Sequence, residues 1–355
     1  MARIDSVDTV RVIAITAVIA IHAGPFRYMS AGSLGSFDLW LVINQLARFA
    51  VPFFFVVSGF FWGQKIDEGR GIASTSVAMS RRILTIFIGW SVIYLCVDVG
   101  LHVRDIFRES GSALSLVEMA KHVYWYMIDR LSDPVTILFE GTREHLWFLA
   151  ALVWCVAISA VLIAKGCTKT LIGLATLLYA LGLLGKAYAQ TPLGIEMPIN
   201  TRDGPFFGLI LFTTGYLLAK HRPKGDAFRS GQIVLLVGIV LHFAEVDYLN
   251  RRFGTDLAQD YVVGTYFMGV GAALIALSNR GGLRSAWSSS IGPYVLGIYA
   301  IHQLVVQQLS PLAAETSTAL WNYGWQTVLV PLILGVSLLG SRLLARNPIT
   351  RRLVT

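Results

Sequence analysis

Apolar positions along this chain gather into ten windows, at 9–26, 39–63, 82–101, 146–164, 170–188, 205–219, 231–249, 261–278, 292–310 and 325–344. At 1.5 Å rise per residue a helix over each window crosses most or all of a hydrocarbon core about 30 Å thick. The pattern therefore predicts an all-α polytopic transmembrane bundle of about ten helices, with both termini on one side. Residues 1–355 read as a single integral-membrane domain. The first window reads as a retained helix, because no small-x-small cleavage pattern follows it. Only 102–145 forms a long connection, and its "EMAKHVYWYMIDRL" stretch (118–131) reads either as a helix lying in the interface or as a loop with belt aromatics.

Composition agrees: 55% of residues are hydrophobic and 14% charged, against roughly a quarter charged in soluble domains. The net charge of +8 is mostly topology. Sorted by connection, 18 of the 29 Lys and Arg fall on the side of the termini, including Arg3, Arg222, Lys224, Arg346, Arg351 and Arg352. The other side takes 11, five of them in 102–145. Short loops thus follow the positive-inside rule, placing both termini in the cytoplasm and giving no reason to invoke nucleic acid. Cys96, Cys155 and Cys167 show no disulfide framework or metal-ligand spacing.

Ionisable groups inside a span are costly, and they mark functional sites when they face a wet cavity or a partner. In "RVIAITAVIAIH" (11–22), Arg11 and His22 are eleven residues apart. A helix brings them within about 20° of one face and separates them by roughly 16 Å. Asp8, Arg11, Arg81, Arg82, Ser58 and Gly59 form a cytoplasmic layer. His22, His302, Glu144, His145, Arg202, His242 and Glu245 fall in the outer half. Taken singly, Arg11 reads equally as a snorkelling anchor, Arg81 and Arg82 as topology signals, and His242 as structural, with Glu245 to hold it. The constellation points instead to an anionic ligand bound from inside and proton chemistry further out.

The segment "SVDTVRVIAITAVIAIH" resembles the first helix of the acyltransferase-3 family of polytopic membrane O-acyltransferases, whose signature is a basic residue, ten residues, then histidine. Further landmarks follow in family order: "PFFFVVSGFFW", Arg81–Arg82, "EHLWFLAAL", "TRDGPFFGLILFTTGYLLA" and "GIYAIHQLVV". "TRDGPFFG" leans toward the branch that modifies surface polysaccharides. The resemblance implies transfer of an acyl group, usually acetyl, from cytoplasmic acetyl-CoA (acyl-CoA) to a hydroxyl of an extracytoplasmic surface polysaccharide, glycolipid or other acceptor. It implies a place in the bacterial cytoplasmic membrane and no metal. The family's appended hydrolase-like domain is not expected here, so the bundle would carry the reaction alone or with a partner.

On this reading Arg81 and Arg82 dock the nucleotide end of the donor, because arginine forks suit phosphates. Arg11 lies nearer the pyrophosphate or pantetheine, with Asp8 orienting it. Ser58 and Gly59 either admit the pantetheine arm or simply pack. His22 takes the hydroxyl proton or accepts the acyl group itself. Glu144 or His302 orients it, while His145, Arg202 and Glu245 are candidates for holding acceptor or oxyanion. The competing expectation is a transporter or flippase for an anionic or lipid-linked solute, with a histidine proton relay. The absence of an internal repeat weighs against it.

Overall fold

The computed structural model describes residues 4–27, 33–110, 115–221, 226–313 and 319–355. Arg3, Arg222 and Lys224 lie outside them. Each apolar window becomes a helix: α1 (Asp5–Ala23), α2 (Leu39–Asp67), α3 (Ile72–Ser110), α4 (Trp147–Ala164), α5 (Thr168–Leu184), α6 (Pro205–Lys220), α7 (Ala227–Phe253), α8 (Val263–Leu277), α9 (Val295–Leu309) and α10 (Ala319–Leu344). Among the described residues the strand content is one two-residue hairpin, Ser33–Leu34 with Phe37–Asp38. By length and apolarity seven of these helices are candidate membrane spans, and α5, α6 and α8 are shorter apolar helices.

Boundaries depart from the windows where polar residues continue a helix into water. The third window, 82–101, becomes a 39-residue helix, about 58 Å long. Charged residues at both its ends propagate the helix beyond any bilayer. The 118–131 stretch is helical too, Leu116–Arg130, started by a capping box in which Ser115 and Glu118 satisfy each other's backbone. It buries none of its residues and exposes Leu116, Val117, Tyr124, Trp125 and Ile128. An apolar face left uncovered beside charges suits a helix resting in the membrane interface.

At the centre lies α1, which contacts α2, α8, α9 and α10 and buries Val7, Ala14, Ile15 and Ile19. The flanking α7 and α10 expose aliphatic side chains instead, among them Leu236, Val240, Val328 and Leu339. With lipid outside, such positions face acyl chains rather than water. Both ends of the chain meet on one face. Ser6 Oγ donates to the Ala276 carbonyl at the end of α8 (2.5 Å), and Val354 is buried against Gly297 of α9.

Backbones approach most closely where α2 crosses α6. A Cβ on Gly59 would collide with the Phe212 carbonyl, and one on Gly215 with that of Val56. Of the two readings of Gly59, helix packing is therefore the one its surroundings require. Gly59→Leu or Gly215→Leu is expected to abolish the folded bundle. Recovery of monodisperse protein at the parental yield on fluorescence-detected size exclusion would refute that.

Candidate active site

Local structure explains how three distant histidines meet. α1 ends on Gly24, whose left-handed backbone (φ 55°) closes the helix two residues after His22. A 3₁₀ turn, Glu144–Leu146, leads into α4, and it buries His145 while leaving Glu144 exposed. On α9, His302 is fully buried. The ring centroids of His22 and His302 lie 5.2 Å apart, those of His145 and His302 5.4 Å, and those of His22 and His145 6.4 Å.

Two tyrosines hold the frame. Tyr299 donates its hydroxyl to the His145 carbonyl, and Tyr94 donates to the Ala300 carbonyl (2.8 Å), tying α3, the 3₁₀ turn and α9 together. Both rings pack on His145, at centroid distances of 5.8 and 5.0 Å. Arg143 braces the arrangement from outside, paired to Asp98 and lying over Tyr94 at 5.7 Å.

His302 Nδ1 lies 2.5 Å from the Tyr299 carbonyl. A carbonyl only accepts, so that nitrogen carries the proton and Nε2 presents a lone pair. Nε2, like both ring nitrogens of His145, is buried without a hydrogen bond among the described residues. Buried polar atoms are rarely left so, and a set of three at one point marks a place where something polar belongs. His22 differs. Its neighbours are buried, yet its own side chain is exposed. A residue open to solvent within a buried cluster lines a void. Among the described residues no group of three or more His, Cys, Asp or Glu is placed to hold a metal ion.

Outward of the histidines lies an ion network centred on Asp260. This carboxylate accepts from Arg48 (2.8 Å) and Lys186 (3.0 Å) and faces Arg202 at 3.7 Å. Arg202 also pairs with Glu144 (3.1 Å) and Asp203 (3.2 Å), approaches Glu140 at 4.0 Å, and stacks over Trp147 at 5.0 Å. Its position comes from "TRDGP". Thr201 Oγ1 donates to the Gly182 carbonyl, Gly204 takes φ 66°, and Pro205 opens α6 where no backbone N–H is needed. Arg48, Arg202 and Asp260 all act electrostatically on His22. The three cations hold the Asp260 carboxyl well below the usual carboxylate range, against the opposing pull of burial.

Glu140 and Asp203 sit together on the outer side. Burial first, then the hydrogen bond and charge of Asp203, push the Glu140 carboxyl up to about 8. A raised carboxyl binds more protons folded than unfolded. Its stabilisation is therefore complete below the ordinary pKa near 4.5 and lost as pH rises to about 8. The melting temperature in detergent is expected to fall from pH 5 to pH 8.5. Glu140→Gln should flatten that profile, and an unchanged slope would remove the pair as its source.

Elsewhere the sequence candidates separate. His242 is held by Thr265 (2.9 Å) and Gln45 (2.8 Å), as a structural histidine should be, but not by Glu245. Glu245 instead accepts from the N–H groups of Val263 (3.0 Å) and Gly264 (3.1 Å) and from Tyr188, so it caps α8 and is already engaged. Its appearance near the histidines in sequence depth reflects a helix-capping duty that hydropathy cannot distinguish. At the opposite end of α1 from His22, Arg11 pairs with Asp8 (3.3 Å) and lies over Phe61 at 5.3 Å. Ser58 is half-buried, and Arg81 and Arg82 are exposed without an ion-pair partner among the described residues. Asp260, Arg48, Lys186, Tyr94 and Tyr299 were not singled out by sequence.

A family model described as an acyltransferase domain matches residues 4–346. The chain belongs to the acyltransferase-3 family. Similar curated proteins of this acyltransferase-3 chain include an amino-acid racemase of Enterococcus faecalis, 27% identical over 59% of this chain and 27% of the racemase. A serine/alanine racemase of Enterococcus gallinarum is 24% identical over 67% of this chain and 32% of its own. The match spans about a third of the length of these relatives. No solved structure matches the chain.

Proposed function

We propose that this acyltransferase-3 protein moves an acetyl or other acyl group from cytoplasmic acyl-CoA to a hydroxyl of an extracytoplasmic acceptor, such as a surface glycan or glycolipid. The observation that carries this reading is the exposed His22 set among buried His145 and His302, on the same central helix as Arg11. The roughly 16 Å between Arg11 and His22 is comparable with an extended pantetheine arm, on the order of 15–20 Å from its bond lengths. Arg11, with Arg81, Arg82 and Ser58 toward the cytoplasm, supplies the donor side.

In the direct route a His22 ring nitrogen takes the proton of the acceptor hydroxyl as its oxygen attacks the thioester carbon. The tetrahedral oxyanion collapses with rupture of the carbon–sulfur bond. The departing thiolate recovers the proton from the imidazolium, giving ester and free CoA. His302, with its lone pair at Nε2, stabilises the imidazolium by accepting a hydrogen bond, a role geometry leaves open to it and to no acid in the cluster. On this reading Arg202, with Glu144, holds the acceptor outside. The test is incubation of purified protein with labelled acetyl-CoA and a glycan acceptor. Release of free CoA matched by acceptor ester supports the reading, and an intact thioester defeats it.

A second reading draws on the relatives named for amino-acid racemases. A network carrying both signs, Arg202 and Lys186 beside Glu144 and Asp260, suits a zwitterion. On that reading the bundle carries an amino acid across the membrane. Saturable uptake of labelled serine into proteoliposomes, with acetyl-CoA untouched, would favour it over acyl transfer.

A further inference from the structure

We propose that the turn following α10 forms the docking site for the phosphate groups of a nucleotide, which on the acyl-CoA reading above is the adenosine end of the donor. A cavity of about 340 Å³ opens there, lined by Ala345, Arg346, Pro348, Arg351, Arg352 and Thr355. That volume is within the range of small-ligand sites. All three arginines are exposed, none has an ion-pair partner among the described residues, and no acidic residue lines the cavity. Three guanidiniums face one main-chain carboxylate, that of Thr355, which leaves the space net positive, and their forks match phosphate oxygens bidentately.

The cavity is built on a fixed frame rather than a loose tail. Asn347 caps the turn by accepting from Ile349 N–H (2.9 Å), and Thr350 Oγ1 donates to the Leu344 carbonyl (2.6 Å). Trp90 Nε1 of α3 donates to the Leu353 carbonyl (2.9 Å), and Val354 is fully buried against Gly297. These anchors hold the arginines on the face where Ser6 and Ala276 meet, the positive-inside face. They also fix the reach. His302 is five residues along α9 from Gly297, about 7.5 Å of rise, so the buried tail packs close to the level of the histidines. On this proposal a donor whose phosphates sit in this cavity extends its arm toward His22. Arg81 and Arg82, exposed on α3, then flank the route instead of ending it.

The experiment uses the full chain in phosphatidylcholine nanodiscs with adenosine 3′,5′-bisphosphate as probe. Arg351→Gln with Arg352→Gln is expected to weaken bisphosphate binding at least tenfold with an unchanged melting temperature. Arg351→Lys with Arg352→Lys should recover part of it. In acyl transfer, KM for acetyl-CoA should rise while kcat at saturating donor stays near the parental value. Equal bisphosphate affinity in parent and Gln variant overturns the site. So does a difference that appears only in the retention of phosphatidylglycerol, which would make this a lipid-headgroup contact. A parent that binds bisphosphate through these arginines yet transfers no acyl group would leave the site standing and sink the acyltransferase reading alone.

Discussion

Replacing His22 with glutamine is expected to lower acyl transfer by roughly 10²–10⁴-fold, the range that a positioned general base contributes, with the protein still folded. Glutamine keeps a planar polar group of similar reach but cannot take up a proton at neutral pH. His22 is the exposed member of the cluster, so the substitution fills no core space. His302→Gln should cost less, because a glutamine oxygen can still accept from the His22 ring. His145→Gln tests something else: its ring is wedged between Tyr94 and Tyr299, and its loss should appear in stability as well as rate. The measurement is initial-rate transfer from acetyl-CoA at matched protein abundance. Parental activity in the His22 variant would remove it from the reaction.

Much of this architecture was legible because lipid enforces it. A spanning helix must hide every backbone amide within itself, so its apolar run cannot be disguised, and all ten windows reappear as helices. Depth was legible for the same reason: counting residues from the window edge placed His22, His145 and His302 in one layer, and their rings do converge. What counting cannot supply is rotation and pairing. Asp260 lies in a loop where an acid carries no hydropathy signal, although it collects three cations from α2, the turn after α5 and the "TRDGP" turn. Glu245 had the right depth and points its carboxylate at the start of α8 instead. Arg346, Arg351 and Arg352 read only as topology, since nothing in a linear charge count says that a capped turn folds them around one cavity.

Asp260 is where the largest electrostatic effect on stability is expected. Removing one partner of a fully buried ion pair costs about 3–5 kcal/mol and of an exposed one about 1 kcal/mol or less, and this half-buried network falls between those limits. Asp260→Ala removes a shared partner from Arg48, Lys186 and Arg202 at once. Arg202 has Glu144 and Asp203 to fall back on, and Arg48 retains Asn44 at 3.1 Å, whereas Lys186 has no other ion-pair partner among the described residues. The loss should therefore propagate along a continuous chain. His242 bonds Gln45, Gln45 bonds Asn44, Asn44 bonds Arg48, and Arg48 reaches Asp260. Asp260→Asn separates charge from contact, keeping a carbonyl acceptor but adding no negative charge. If the network is held by charge, the Asn variant should lose most of what Ala loses; if by hydrogen bonding, it should stay near the parent. Thermal unfolding in detergent reads the difference, and a melting temperature unchanged in both variants would mean the network contributes nothing net. Double substitution of Asp260→Ala with Lys186→Met sharpens the point. Taking out the stranded cation with its partner should restore part of the lost stability, which a merely steric role for Asp260 would not produce.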